Sequence, residues 1–180
     1  ITLHSPMPQA FLFSDADPHR KSNDLFWSFI QGKPYGKAKP PIDVVNKSIK
    51  SRIQTICGGK TAGRLIGGNL TLICATLGTP YAIEPRGKIL VIEDTGERPY
   101  RIDRYMSQLK LAGVLDKLSG VVVGEFEGAQ LDAVRIIAEY IRPIGIPAIS
   151  GFPVGHGAEN LTLPLGAAAK LDADGRALTI

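Results

Sequence analysis

Two hydrophobic rhythms alternate along the second half of this chain. Ile89-Leu90-Val91-Ile92 and Val121-Val122-Val123 are unbroken apolar runs bounded by Gly and charged residues. Short runs of this kind, rich in β-branched residues, predict strands buried on both faces. Between and after them, apolar residues recur every three or four positions. Ile102, Tyr105, Met106, Leu109 and Val114 form one such stripe, and Leu131 to Ile141 forms another, ended by Pro143. Pro99 suits a helix start, with Glu97 near its positive end. Ile146-Pro147-Ala148-Ile149 predicts a short third strand. Ala167 to Leu171, a turn over Asp172-Ala173-Asp174-Gly175, and Arg176 to Ile180 predict a closing hairpin. Strand, helix, strand, helix, strand is the order of an α/β layered domain.

The first half is less regular. Ile1 to His4 reads as a strand end. Ser22 to Gln31 carries Leu25, Phe26, Phe29 and Ile30 at helical spacing, with Ser22 or Asn23 as N-cap, and Trp27 is expected to pack in a core. Gly67-Gly68-Asn69 can cap a helix through Leu70 to Leu77, stopped by Gly78 and Pro80. Between these helices the chain is rich in Pro, Gly and Lys, which is linker chemistry. Three segments are therefore expected: 1–32 as the end of an N-terminal α/β domain, 33–62 as a basic linker, and 63–180 as a C-terminal α/β domain. The linker is expected to be exposed and easily cut by trypsin. Ile1-Thr2-Leu3-His4-Ser5-Pro6 lacks an initiator Met and any signal pattern, so the chain reads as a piece of a longer protein.

Composition adds limits rather than identity. Of the 180 residues, 44% are hydrophobic and 21% charged, as in ordinary globular domains. No apolar run approaches the ~20 residues needed to span a bilayer. The net charge of +4 is concentrated: residues 33–64 hold eight Lys and Arg against Asp43 alone. Tyr35 is the one aromatic residue among those bases, so a stacking platform for nucleic acid is not expected. Cys57 and Cys74 suit neither a disulfide framework nor a zinc site, and read as reduced thiols in a cytoplasmic protein.

Two residues stand out chemically. Glu93 ends an apolar strand, where catalytic side chains of α/β folds often converge. Such a carboxylate can fix an imidazole's tautomer and stabilise its protonated form, or it can simply cap a turn. His156, in Val154-Gly155-His156-Gly157, sits on a loop whose glycines leave the ring accessible. It can serve as a general base, or as a plain surface or packing histidine. His4 and His19 have no metal-ligand spacing to another His, Cys or acid. A nucleophile is not evident. Ser14-Asp15 is the sole Ser-Asp pair, but no glycine shapes a strained elbow around it. Cys74 lies among Leu72, Ile73 and Leu77, which reads as core packing.

Three blocks taken together resemble the LD-carboxypeptidase family, which includes muramoyltetrapeptide carboxypeptidases and microcin C self-immunity peptidases. They are Gly67-Gly68-Asn69-Leu70-Thr71-Leu72 with Leu77-Gly78-Thr79-Pro80-Tyr81, then Ile92-Glu93-Asp94 with Glu97 to Arg104, then Gly155-His156-Gly157. The resemblance is strong over about residues 63 to 166. It extends weakly to His4-Ser5-Pro6-Met7, where the family tends to have His-Gly-Pro.

The resemblance implies a two-domain serine peptidase in which Glu93 matches the triad acid and His156 the triad base. The family serine lies in a Gly-x-Ser-Asp turn upstream of the His-Pro block, hence before Ile1. The implied reaction is hydrolysis of the bond to the terminal D-Ala of a murein tetrapeptide. The implied setting is cytoplasmic cell-wall recycling by a homodimer, with no cofactor, no metal, no nucleic acid and no membrane. The upstream fragment carrying the serine is then a required partner, and this chain alone is expected to be inactive. Two alternatives stay open: a peptidyl- or aminoacyl-nucleotide hydrolase, as in the immunity branch, and a catalytically inert binding or assembly module. An aromatic residue placed to stack on a nucleobase would favour the nucleotide branch.

Overall fold

The computed structural model describes residues 2–5, 20–31, 50–157 and 159–180. Ser14, His19 and most of the expected linker lie outside the described residues. A seven-stranded mixed sheet forms the frame. Its strands are β2 (Gln54–Cys57), β3 (Lys60–Asn69), β4 (Ile89–Thr95), β5 (Gly120–Glu127), β6 (Ala148–Ser150), β8 (Ala168–Asp172) and β9 (Ala177–Thr179). They lie in the order β2-β6-β5-β4-β3-β8-β9. A separate antiparallel pair joins β1 (Thr2–His4) to β7 (Leu163–Leu165).

The four central strands, β3 to β6, run parallel and are adjacent in chain order. Parallel neighbours require crossovers. Here those are α2 (Leu70–Ala75), α3 (Pro99–Leu111) and α4 (Gln130–Ile141). Right-handed crossovers that advance in one direction put all three helices on one face. The core divides accordingly. Leu90, Ile92, Val121 and Val123 pack with Ile73 of α2, Ile102 and Met106 of α3, and Ile137 of α4. Ile89, Val91 and Val122 point the other way, into Phe152, Val154, Leu161 and Leu163 of the β6–β7 segment and Leu171 and Leu178 of the hairpin. Two covered faces explain why β4 is buried from Ile89 through Asp94, and hence why its sequence is an unbroken apolar run.

Three differences from the sequence reading stand out. The expected linker ends early: Gln54–Cys57 is a sheet strand paired with β6, and β3 already begins at Lys60. β3 itself was masked by Gly63, Gly67 and Gly68. Gly67 is needed there, because its φ is +132° and a side chain would overlap the Val91 carbonyl of the neighbouring strand. Finally, α1 (Arg20–Ile30) turns Phe29 onto the second core cluster but leaves Trp27 46% exposed, edge-on to Phe26 with ring centroids 5.3 Å apart. Two helical positions lie about 200° apart around the axis, so Phe29 and Trp27 cannot face the same core. The expectation that Trp27 packs inside is corrected.

Candidate active site

The site grows from the alternation of β4. Ile89 and Val91 face away from the helices, so Glu93 continues that row at the strand's carboxyl end. Asp94 falls on the opposite side and serves the helix layer. Its carboxylate accepts from Thr71 N at 3.0 Å, Thr71 Oγ1 at 2.8 Å, Asn69 Nδ2 at 2.7 Å and Thr95 N at 2.9 Å. Asn69 in turn caps α2 by accepting from Leu72 N. Two adjacent acids thus have separate duties: Asp94 anchors a helix start, and Glu93 is left facing a cleft.

A register shift falls beside Glu93. Ile92 pairs with Val123 and Asp94 with Phe126, so Gly124 and Glu125 of β5 together oppose Glu93 alone. Such bulges bend the strand and re-aim side chains. Gly124 also leaves room for the loop after β6, since a β-carbon there would collide with Val154. That loop carries His156. It is tied down by Glu125 N to Val154 O at 2.8 Å, Leu161 N to Pro153 O at 2.7 Å, and Gly155 N to the side chain of buried Asn160 at 3.1 Å.

These restraints bring His156 Nδ1 to 2.8 Å from Glu93 Oε2. Glu93 is fully buried, whereas the His156 side chain is 46% exposed. An ionised carboxylate only accepts, so Nδ1 carries the proton and Nε2 is the nitrogen left to take another. His4, on β1, approaches the other carboxylate oxygen, with Nε2 4.0 Å from Glu93 Oε1. Burial holds the His4 imidazole below the usual histidine range; Glu93 opposes that shift and His156 adds to it. A cavity of about 610 Å³ opens over the group, bordered by His4, Ser5, Asn69, Leu72, Glu93 and His156 among others.

The structure therefore places Glu93 and His156 side by side. It also places His4 and Ser5 at the cavity, which the sequence reading did not assign to a site. The hint in sequence was the weak His4-to-Met7 block; nothing in spacing alone connects His4 to Glu93. Cys74 is buried in the helix-side core, and burial with the charge of Asp94 pushes its thiol up to about 11, which suits packing and not attack. Among the described residues no group of three or more His, Cys, Asp or Glu could hold a metal ion, and no helix is long and apolar enough to cross a membrane.

Residues 62–171 match the family model described as the LD-carboxypeptidase C-terminal domain. The probable murein peptide carboxypeptidase of Bacillus subtilis is 40% identical over 129 residues, covering 68% of this chain and 40% of that protein. The microcin C7 self-immunity protein MccF of Escherichia coli is 35% identical over 128 residues, covering 68% of this chain and 37% of that one. The crystal structure of muramoyltetrapeptide carboxypeptidase from Oxalobacter formigenes superposes with a TM-score of 0.74 at 27% identity, covering 98% of this chain and 59% of that chain. The chain thus spans about 40% of the length of the curated relatives it matches.

Proposed function

The chain belongs to the LD-carboxypeptidase family, and we propose that it supplies the acid and base of a Ser-Glu-His peptidase acting on murein tetrapeptides. The observation that carries this reading is the 2.8 Å contact between His156 Nδ1 and the buried carboxylate of Glu93 at the edge of an open cavity. In this reading the nucleophilic serine comes from a segment outside these 180 residues, in keeping with the limited share of its relatives that the chain spans.

In this reading the chemistry is that of a serine peptidase. The serine hydroxyl attacks the carbonyl of the bond to the terminal D-Ala. His156 Nε2 takes the hydroxyl proton, and Glu93 stabilises the imidazolium through Nδ1–H. His156 then returns the proton to the leaving amine, and D-Ala departs. Water enters by the same base and releases the shortened peptide. Backbone amides beside the serine stabilise the oxyanion. The setting is cytoplasmic turnover of cell-wall peptides by a homodimer.

The test is D-Ala release from a tetrapeptide containing L-Lys or diaminopimelate. The chain joined to an upstream fragment with Gly-x-Ser-Asp should release D-Ala, and His156→Ala should remove nearly all of that turnover. The 180 residues alone should not act at an enzymatic rate. Release by the chain alone, lost in Ser5→Ala, would instead make Ser5 the nucleophile. A tetrapeptide ending in L-Ala serves as control.

A second reading keeps the machinery and changes the substrate to a peptidyl or aminoacyl nucleotide. Similarity to the self-immunity protein favours it. Trp27 does not, because it is not among the described residues lining the cavity. Hydrolysis of an aminoacyl-nucleotide amide with no D-Ala release would select this branch. No hydrolysis of either substrate by the assembled protein would leave a binding or assembly module.

A further inference from the structure

Among the described residues, three buried side-chain polar atoms have no hydrogen-bond partner: His4 Nε2, Glu93 Oε1 and Ser119 Oγ. Two of the three face each other, 4.0 Å apart, across the carboxylate whose other oxygen meets His156. We infer that His4 is a positioning residue of this site: its Nε2–H donates to Glu93 Oε1, so that the carboxylate is held between two histidines. This role deepens the proposed function and rests on Glu93 as the group that orients His156.

The placement of His4 is built into the fold. β1 pairs antiparallel with β7, and His4 stands opposite Leu163, only a few residues beyond the His156 loop. One pairing therefore sets His4 against the same carboxylate from the other side. Both atoms are shielded from water. Leaving a buried donor and a buried acceptor unpaired is costly for each, and a small side-chain rotation satisfies both at once. With both oxygens bonded, Glu93 can no longer turn about its terminal bond, and the direction of its bond to Nδ1 is fixed.

Charge decides which imidazole takes the reaction proton. Among the described residues, the titratable groups that face His4 are Glu93 from β4 and His156 from the β6–β7 loop. Two imidazolium rings on one carboxylate repel each other. His4 is the more enclosed of the two, with its side chain 20% exposed against 46% for His156. His4 thus stays the uncharged donor while His156 accepts and returns the proton. Because they share one partner, their titrations are linked, and each must shift the other equally.

The experiment is an NMR titration of the imidazoles in the 180-residue chain. In His4→Phe the His156 midpoint should rise by about one pH unit, since the competing donor on Glu93 is gone. In His156→Ala the His4 midpoint should rise by a similar amount. His4→Gln, whose amide can reach the same oxygen, should leave the His156 midpoint close to wild type. An unchanged His156 midpoint in His4→Phe would overturn the inference, and so would equal shifts in the Phe and Gln variants. If His4→Phe does not fold, an unchanged His4 midpoint in His156→Ala overturns it independently. None of these readouts requires turnover. Linked titration with no hydrolysis would sink the peptidase reading alone, and hydrolysis with independent titrations would sink the role of His4 alone.

Discussion

Gly155 lies so close to Glu93 that a β-carbon on the glycine would sit 3.0 Å from both Cβ and Oε2 of the glutamate. The glycine also has φ +129°, where side chains are strained whatever the space. Its compactness allows the histidine loop to rest on the carboxylate. Gly155→Ala should therefore cost about 1–3 kcal/mol and lengthen the Glu93–His156 contact. Urea unfolding reads the first effect, and a crystal structure of the variant reads the second. Wild-type stability with an unchanged contact would contradict it.

Glu93 and Asp94 are chain neighbours with different duties, and a variant of each should separate them. In the assembled enzyme Glu93→Gln should lower turnover on the order of 10⁴-fold, the scale of the Asp-to-Asn change in the serine-protease triad. Asp94→Ala should instead destabilise the fold by about 3 kcal/mol, because three hydrogen bonds at the start of α2 and one from Thr95 N lose a charged acceptor. Paired turnover and denaturation measurements on both variants would expose a reversed assignment.

Acid should weaken the fold through His4. Its pKa is lowered by burial, so the unfolded chain binds the proton more tightly than the folded one. Stability from this group is complete above the ordinary histidine pKa of about 6.5 and declines as pH falls through that value toward the lower folded one. The urea midpoint of wild type should fall between about pH 7 and pH 5, and that of His4→Phe should fall less. Parallel curves for the two proteins would remove His4 from the acid response.

The two thiols should react unequally. Cys74 is buried and its thiol lies at about 11, whereas Cys57 is partly accessible. Native protein treated with a thiolate-selective reagent at neutral pH should be labelled at Cys57 and protected at Cys74. Mass mapping of the labelled peptides checks this, and equal labelling would mean that the helix-side core opens readily.

The central strands and helices were legible because burial wrote them plainly. β4 and β5 are covered on both faces, and α3 and α4 on one, so run length and period identify them. β2 escaped because only one of its four residues is buried and its flanks are basic and glycine-rich. β3 escaped because its glycines, required for close strand contact, look like loop punctuation. β7 is three residues with Pro164 at its centre. Glu93 and His156 could be singled out from a strand end and a Gly-flanked loop. His4 could not, because it joins them through a long-range pairing that no local pattern encodes.

That pairing also orders events in time. β1 is among the first parts of this chain to leave the ribosome, yet its partner β7 is made after every helix and after the His156 loop. A three-residue strand has little to hold it until Leu163 to Leu165 emerge. The cavity is therefore completed only after β7 is made, when the parallel strands β3 to β6 beneath it already exist. A nascent chain carries Glu93 for some sixty residues of elongation before His156 is made, and some seventy before β7 can set His4 beside it.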